Sequence, residues 1–295
     1  MMYYLVKLIS NIVCIMPLSL RRGLGSLIGN LCWPVVPAKR KRMAIDNIRR
    51  SLGLSEEQAS SIAKASGIRF GPMFMEVLHM PRLNASNIKQ QVALTGGENL
   101  EAALSMGRGA VLATAHSGNW ELLGAALAMH GFPLVAVVQK QTNQAMDRFI
   151  NEYRTNAGMH VTYKQGVREM VKLLGTGKII GLLMDQDNHV DGVFVEFFGR
   201  MASTPQGAAA LARLNNAPII PAFITENPDG THTAIIHPPV MVEKTSDREY
   251  DIRSTTQQLT GIIEQHIRQH PHEWFWLHNR WKTAPPKTTD IVDSK

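Results

Sequence analysis

The chain has 295 residues, 44% of them hydrophobic and 19% charged, and Lys plus Arg outnumber Asp plus Glu by 31 to 24, a formal charge of +7. Those totals exclude a disordered tail and a multi-span membrane protein, and they predict one large or two small folded domains drawn to an acidic partner. Cys14 and Cys32 are too few for a disulfide framework and wrongly spaced for a metal knuckle; in apolar surroundings they predict buried or lipid-facing thiols and a reducing compartment.

Residues 1–38 are apolar but interrupted by Lys7, Asn11, Pro17 and the pair Arg21-Arg22, so no run reaches the roughly 20 residues of a straight membrane span. A start without charge and without a small-residue cleavage site predicts that the segment is retained. Lys39-Arg-Lys-Arg42 follows directly. A basic cluster beside an apolar segment suits anionic cytoplasmic lipid, at about 1 kcal/mol per charge, which predicts a helical membrane-anchoring segment at 1–38 and a cytoplasmic main domain at 39–285. Two core helices of the main domain are the other reading of the same residues. Nucleic acid is disfavoured, because no Lys/Arg cluster is interleaved with stacking aromatics.

From Ala44 to about Met80 the pattern is helical, with Ser55 as an N-cap before Glu56 and Glu57. Beyond about Val92, short apolar runs alternate with amphipathic segments. Strands are expected at 110–115, 134–138, 179–184, 219–224 and 232–236, and helices at 120–129, 145–156, 166–174, 205–214 and about 254–269. Continuous hydrophobicity in the strands predicts burial on both faces, hence an α/β fold with a mixed, mostly parallel sheet flanked by helices. Residues 286–295, after Pro285, read as a loose tail.

His116 follows the first apolar run, and Ser117-Gly118-Asn119 supplies turn and N-cap chemistry for a helix starting at Trp120. Ligands bind at such strand ends, facing helix N-termini. Across the turn, Glu121 in the first helical turn can point back at the imidazole and fix its tautomer, the arrangement a general base needs. Spacing alone leaves the pair open between chemistry and surface decoration.

Four blocks settle which chemistry to expect: His116-Ser-Gly-Asn-Trp-Glu121, Gly181-Leu-Leu-Met-Asp-Gln-Asp187, Gly192-Val-Phe-Val-Glu-Phe-Phe-Gly-Arg200 with Thr204-Pro205, and Trp274-Phe-Trp-Leu-His-Asn-Arg-Trp-Lys282. In that order, over nearly the whole chain, they resemble the bacterial lysophospholipid and lipid A biosynthesis acyltransferases, which include lauroyl and myristoyl transferases and phosphatidylinositol mannoside acyltransferases. The resemblance implies a glycerol-phosphate-acyltransferase-like fold and a catalytic His116 and Glu121. It implies an acyl carrier protein or coenzyme A thioester as donor and co-substrate, with no further cofactor, and a glycolipid hydroxyl as acceptor, foremost that of a lipid A precursor. Residence at the cytoplasmic face of a bacterial inner membrane follows as well. Gly118, Asn119, Trp120, Asp185, Gln186 and Arg200 are the implied substrate contacts. Many members carry an Arg after the second strand; here the stretch reads Val138-Gln139-Lys140-Gln141, which leaves Lys140 or Arg148 as substitutes. Another membrane lipid as acceptor, or a lipid-binding protein without catalysis, are the competing functions.

Three other patterns yield less. Asp185 to Glu196 has the length of a calcium loop, but Val190 stands where the sharp turn needs Gly, so no metal site is expected. Gly175-Thr-Gly-Lys178 lacks the leading Gly of a phosphate loop, Lys172 being in its place. No Gly-x-Ser-x-Gly occurs, which leaves Ser117 as a poor nucleophile candidate. Trp274, Trp276, Trp281 and Arg280 are expected to form a packing wall.

Overall fold

The computed structural model describes residues 2–286; most of the expected tail lies outside them. Helices α1 (Met2–Ile15) and α2 (Leu18–Cys32) are separated at Pro17, whose missing N–H and fixed φ suit a helix start rather than its interior. Helix α3 (Ala38–Leu52) stops at Gly53 in the left-handed region. Helix α4 (Glu56–Ile68) opens with a complete capping box between Ser55 and Gln58, and α5 (Phe70–His79) follows across Arg69.

Helices α2 and α5 meet backbone to backbone. A Cβ at Gly29 would stand 2.1 Å from the Ile68 carbonyl oxygen, and one at Gly71 would stand 2.0 Å from that of Gly25. Only glycine permits so close an approach. Helices α1 and α2 each leave one face bare: Tyr4, Leu5, Leu8, Ile9, Ile12 and Ile15 share an exposed face of α1, and Leu20, Leu27 and Leu31 share one of α2. Among the described residues no helix is long and apolar enough to cross a membrane. Cys14 is half-buried and Cys32 exposed.

Then follow α6 (Ile88–Gln91), β1 (Val92–Thr95), α7 (Gly97–Ser105), β2 (Ala110–Thr114), α8 (Trp120–Met129), β3 (Leu134–Val138), α9 (Gln144–Asn156), β4 (His160–Tyr163), α10 (Val167–Gly175), β5 (Ile179–Leu183), β6 (Val193–Phe197), β7 (Arg200–Thr204), α11 (Gly207–Asn215), β8 (Ile219–Glu226), β9 (His232–Ile236) and α12 (Arg248–Gln269). Seven strands form one sheet in the order β1-β9-β8-β2-β5-β3-β4, parallel at every pairing except β8 with β9. The mixed, mostly parallel sheet flanked by helices is therefore present.

Both faces are buried, which is why the central strands read as unbroken apolar runs. Val111, Ala113, Ile180 and Ile219 pack on one side with residues of α3, α4, α10, α11 and α12; Ala110, Leu112, Ile179 and Ile220 pack on the other with α5, α7, α8 and α9. Strands β6 and β7 form a separate antiparallel hairpin laid against α12. Arg200 is the first residue of β7, paired with Phe197, rather than part of a loop before the next helix. The segment after α12 carries Trp274 and Trp276 fully buried in the first of the two cores, so the expected packing wall is there, and Arg280 is buried with them.

Candidate active site

Strands β2 and β5 run in parallel with Thr114 opposite Leu183. Two residues further on, the same register brings His116 and Asp185 to the carboxyl end of the sheet side by side. Nδ1 of His116 lies 2.8 Å from Asp185 Oδ1, and the His116 amide donates to Oδ2 at 3.0 Å. The indole N–H of Trp274 donates to the same Oδ2 at 2.7 Å. Burial alone raises the Asp185 carboxyl, but the His116 imidazole, the indole and the amide together hold it below the usual carboxylate range. An ionised carboxylate only accepts, so Nδ1 carries the proton and Nε2 is left as the acceptor. The His116 side chain is 18% exposed against 1% for Asp185, so the ring has an open side while its partner is sealed.

Glu121 does not supply that partner. Its carboxylate is gripped by Arg154 of α9, with Nε donating to Oε2 at 2.9 Å and Nη2 to Oε1 at 2.6 Å. A guanidinium fork matches both carboxylate oxygens at once, a better geometry than one bond to an imidazole across the turn. The expectation that Glu121 orients His116 is thus corrected: Asp185, expected among the substrate contacts, holds the ring. Arg154 is 33 residues from Glu121 in sequence, and no spacing rule would pair them.

The turn itself is as expected. Gly118 has φ +58°, and a Cβ there would strike the Ile224 carbonyl oxygen at 1.9 Å. Asn119 caps α8, its side-chain oxygen accepting from the Leu122 amide at 3.1 Å. Trp120 stands edge-on to the His116 ring with centroids 4.9 Å apart. The amides of Trp120 and Glu121, at the helix start, are among those that a helix leaves without partners of its own. Backbone from the C-terminal segment straps the turn: Phe275 N donates to His116 O, and Gly118 N to Glu273 O, each at 3.1 Å.

Other predicted residues stand elsewhere. Lys140 is exposed after β3. Arg148 stacks on the Tyr3 ring of α1 at 4.3 Å, away from His116. Gln186 follows Asp185 half-buried. Arg200 ties the hairpin to α3, donating to Asn47 and Ser51 while lying 3.4 Å over the Trp281 ring, which leaves it little freedom to meet a ligand. Asp187 accepts from Thr283, and His189 turns toward it. Ser117 is buried with its hydroxyl 3.3 Å from His266, not His116, which removes the geometry a serine nucleophile would need with His116.

The family model described as "Bacterial lipid A biosynthesis acyltransferase" matches residues 1–283. A phosphatidylinositol mannoside acyltransferase of Mycobacterium tuberculosis is 27% identical over 243 residues, covering 80% of this chain and 75% of that protein. The lipid A biosynthesis palmitoleoyltransferase of Escherichia coli is 23% identical, covering 86% and 76%. The solved 1-acyl-sn-glycerophosphate acyltransferase of Thermotoga maritima superposes with a TM-score of 0.41 and 12% identity, over 88% of this chain and 99% of that one.

Proposed function

The chain belongs to the bacterial lipid A biosynthesis acyltransferase family and is an acyltransferase, and on that footing we propose that His116, held by Asp185, is the general base that moves a fatty acyl chain from a thioester to a glycolipid hydroxyl. The observation that carries this reading is the buried Asp185 carboxylate on Nδ1 of a partly exposed ring, which leaves Nε2 unprotonated as the acceptor. Nε2 takes the proton of the acceptor hydroxyl as its oxygen attacks the thioester carbonyl. The tetrahedral intermediate, its oxyanion near the free amides of Trp120 and Glu121, expels the thiolate, which recovers the proton from His116. No acyl-enzyme forms. Asp185 stabilises the transient imidazolium without taking its proton.

An acyl carrier protein or coenzyme A is the proposed donor, and a lipid A precursor the proposed acceptor. The similarity to phosphatidylinositol mannoside acyltransferases supports a phosphatidylinositol mannoside as the second acceptor reading. The bare face of α1 and α2, followed by exposed Lys39, Arg40 and Arg42, supports a helix pair lying in the interface of the inner membrane on its cytoplasmic side. Helices of 14 and 15 residues suit that placement better than a span.

Purified protein given defined thioesters and each glycolipid in turn, with product masses measured, tests donor and acceptor together. One mass increment of a single acyl chain on the lipid A precursor is the expected result. His116→Ala is expected to lower transfer by about 10²- to 10⁴-fold; near-wild-type transfer by folded His116→Ala protein would end the base assignment.

A further inference from the structure

Beside the His116 turn lies a cavity of about 240 Å³ bordered by Arg22, Arg69, Glu76, Gly118, Asn119 and Glu273, among others. Two charged side chains reach from its wall to the turn. Arg69, at the junction of α4 and α5, donates from Nη1 to the Gly118 carbonyl oxygen at 2.8 Å. Glu76, two turns along α5, accepts from the Asn119 side-chain N–H at 2.7 Å, and this fixes which end of that amide caps α8. Nothing in the proposed chemistry uses either residue, and neither lies in a motif block.

We infer that Arg69 and Glu76 are positioning residues: they set the Gly118–Asn119 peptide and so aim the His116 ring and the first amides of α8 at the reacting carbonyl. The inference rests on His116 being the base. The wall is itself held still. The glycine contacts of α2 with α5 leave no slack at the level of Arg69, and Arg22 of α2 bridges to Glu226 at 2.9 Å across the cavity mouth. With α5 fixed, the turn is held both by the Glu273–Phe275 backbone and by the two side chains. Burial pushes the Glu76 carboxyl up to about 7, yet an acceptor oxygen faces Asn119 in either protonation state, so reach rather than charge is what the turn requires.

That distinction defines the test. Glu76→Asp keeps the charge and shortens the reach by one methylene; Glu76→Gln keeps the reach and drops the charge. Arg69→Met keeps the stem and removes the donor. Acyl transfer kinetics and thermal unfolding are measured on all three beside wild type and His116→Ala. A misplacement of about 1 Å costs on the order of 10²-fold in rate. Glu76→Asp and Arg69→Met are therefore expected to lose about 10- to 100-fold in kcat, with KM within about threefold, while Glu76→Gln stays within about threefold of wild type. If Arg69→Met does not fold, the two Glu76 variants decide alone. Unchanged kcat in folded Glu76→Asp, or a kcat loss equally large in Glu76→Gln, overturns the inference while leaving His116 intact. An active His116→Ala overturns both.

Discussion

Around the His116 turn, polar groups face inward and the groups of the turn itself are matched: a carboxylate with an imidazole, an indole and an amide, and peptide oxygens with a guanidinium and a backbone N–H, while two nitrogens of that guanidinium and one Glu273 oxygen stay unpaired. The helix pair of α1 and α2 is built the opposite way. Helix α2 meets the body through glycines and α1 through Tyr3, Lys7, Ser10 and Val13, and both turn a row of large apolar side chains outward. The proposed catalytic turn has its geometry set by several groups at once, whereas the proposed membrane-facing surface needs only a sustained apolar face and charges beside it. The two regions still share one element, because α5 receives α2 on one side and presents Glu76 to the turn on the other.

The sharpest way to break the contrast is at Asp185. Asp185→Asn keeps the shape but changes which proton the ring can hold, and is expected to cut kcat by about 10²- to 10⁴-fold with little change in KM. Steady-state transfer assays decide; a mild effect would mean that matching at this turn is structural only. Next is Gly29→Ala, whose Cβ has no room against Ile68. Prying α2 from α5 is expected to cost about 3 kcal/mol, at the upper end for backbone and overpacking changes, and to lower kcat along with the melting temperature, because Arg69 and Glu76 move with α5. If melting falls while kcat of the folded fraction holds, the two regions are independent.

Smaller effects are expected at Glu121 and Arg154. Both are about one-sixth exposed. Removing either is expected to cost about 2 kcal/mol in denaturant unfolding, and the double variant no more than either alone, since the two act as one unit. An additive double variant would show that Glu121 has a second partner. The smallest change in stability, within about 0.5 kcal/mol, is expected for Leu8→Ser with Leu31→Ser. Sedimentation with anionic vesicles should nevertheless show clearly weaker binding; equal binding would remove the surface role of the helix pair.

Sequence pattern found the sheet where burial on both faces makes strands apolar, and β9 matched end to end at 232–236. It missed β1 and β4, four residues each at the sheet edges, and the β6–β7 hairpin, whose Val193–Thr204 stretch carries Glu196 and Arg200 outside the main sheet. Helix α12 starts six residues before the expected Ser254 because Asp247 caps it, accepting from the Tyr250 amide. At the site, His116 and the cap at Asn119 are local features and were legible. The partner of His116 was not, since it depends on which strand lies beside β2 and in what register. Arg69, Glu76 and Arg154 meet the turn or its helix only through tertiary packing, and no local pattern marks them.

That register carries a consequence for how such a chain can vary. Substitutions at Ala115 or Met184 change volume, but losing one residue between Leu183 and Asp185 inverts which side of the sheet the carboxylate leaves from. Ala115-His116 and Met184-Asp185 thus act as a fixed-length gauge, and under the proposed mechanism a single-codon deletion in either is expected to cost as much transfer as His116→Ala.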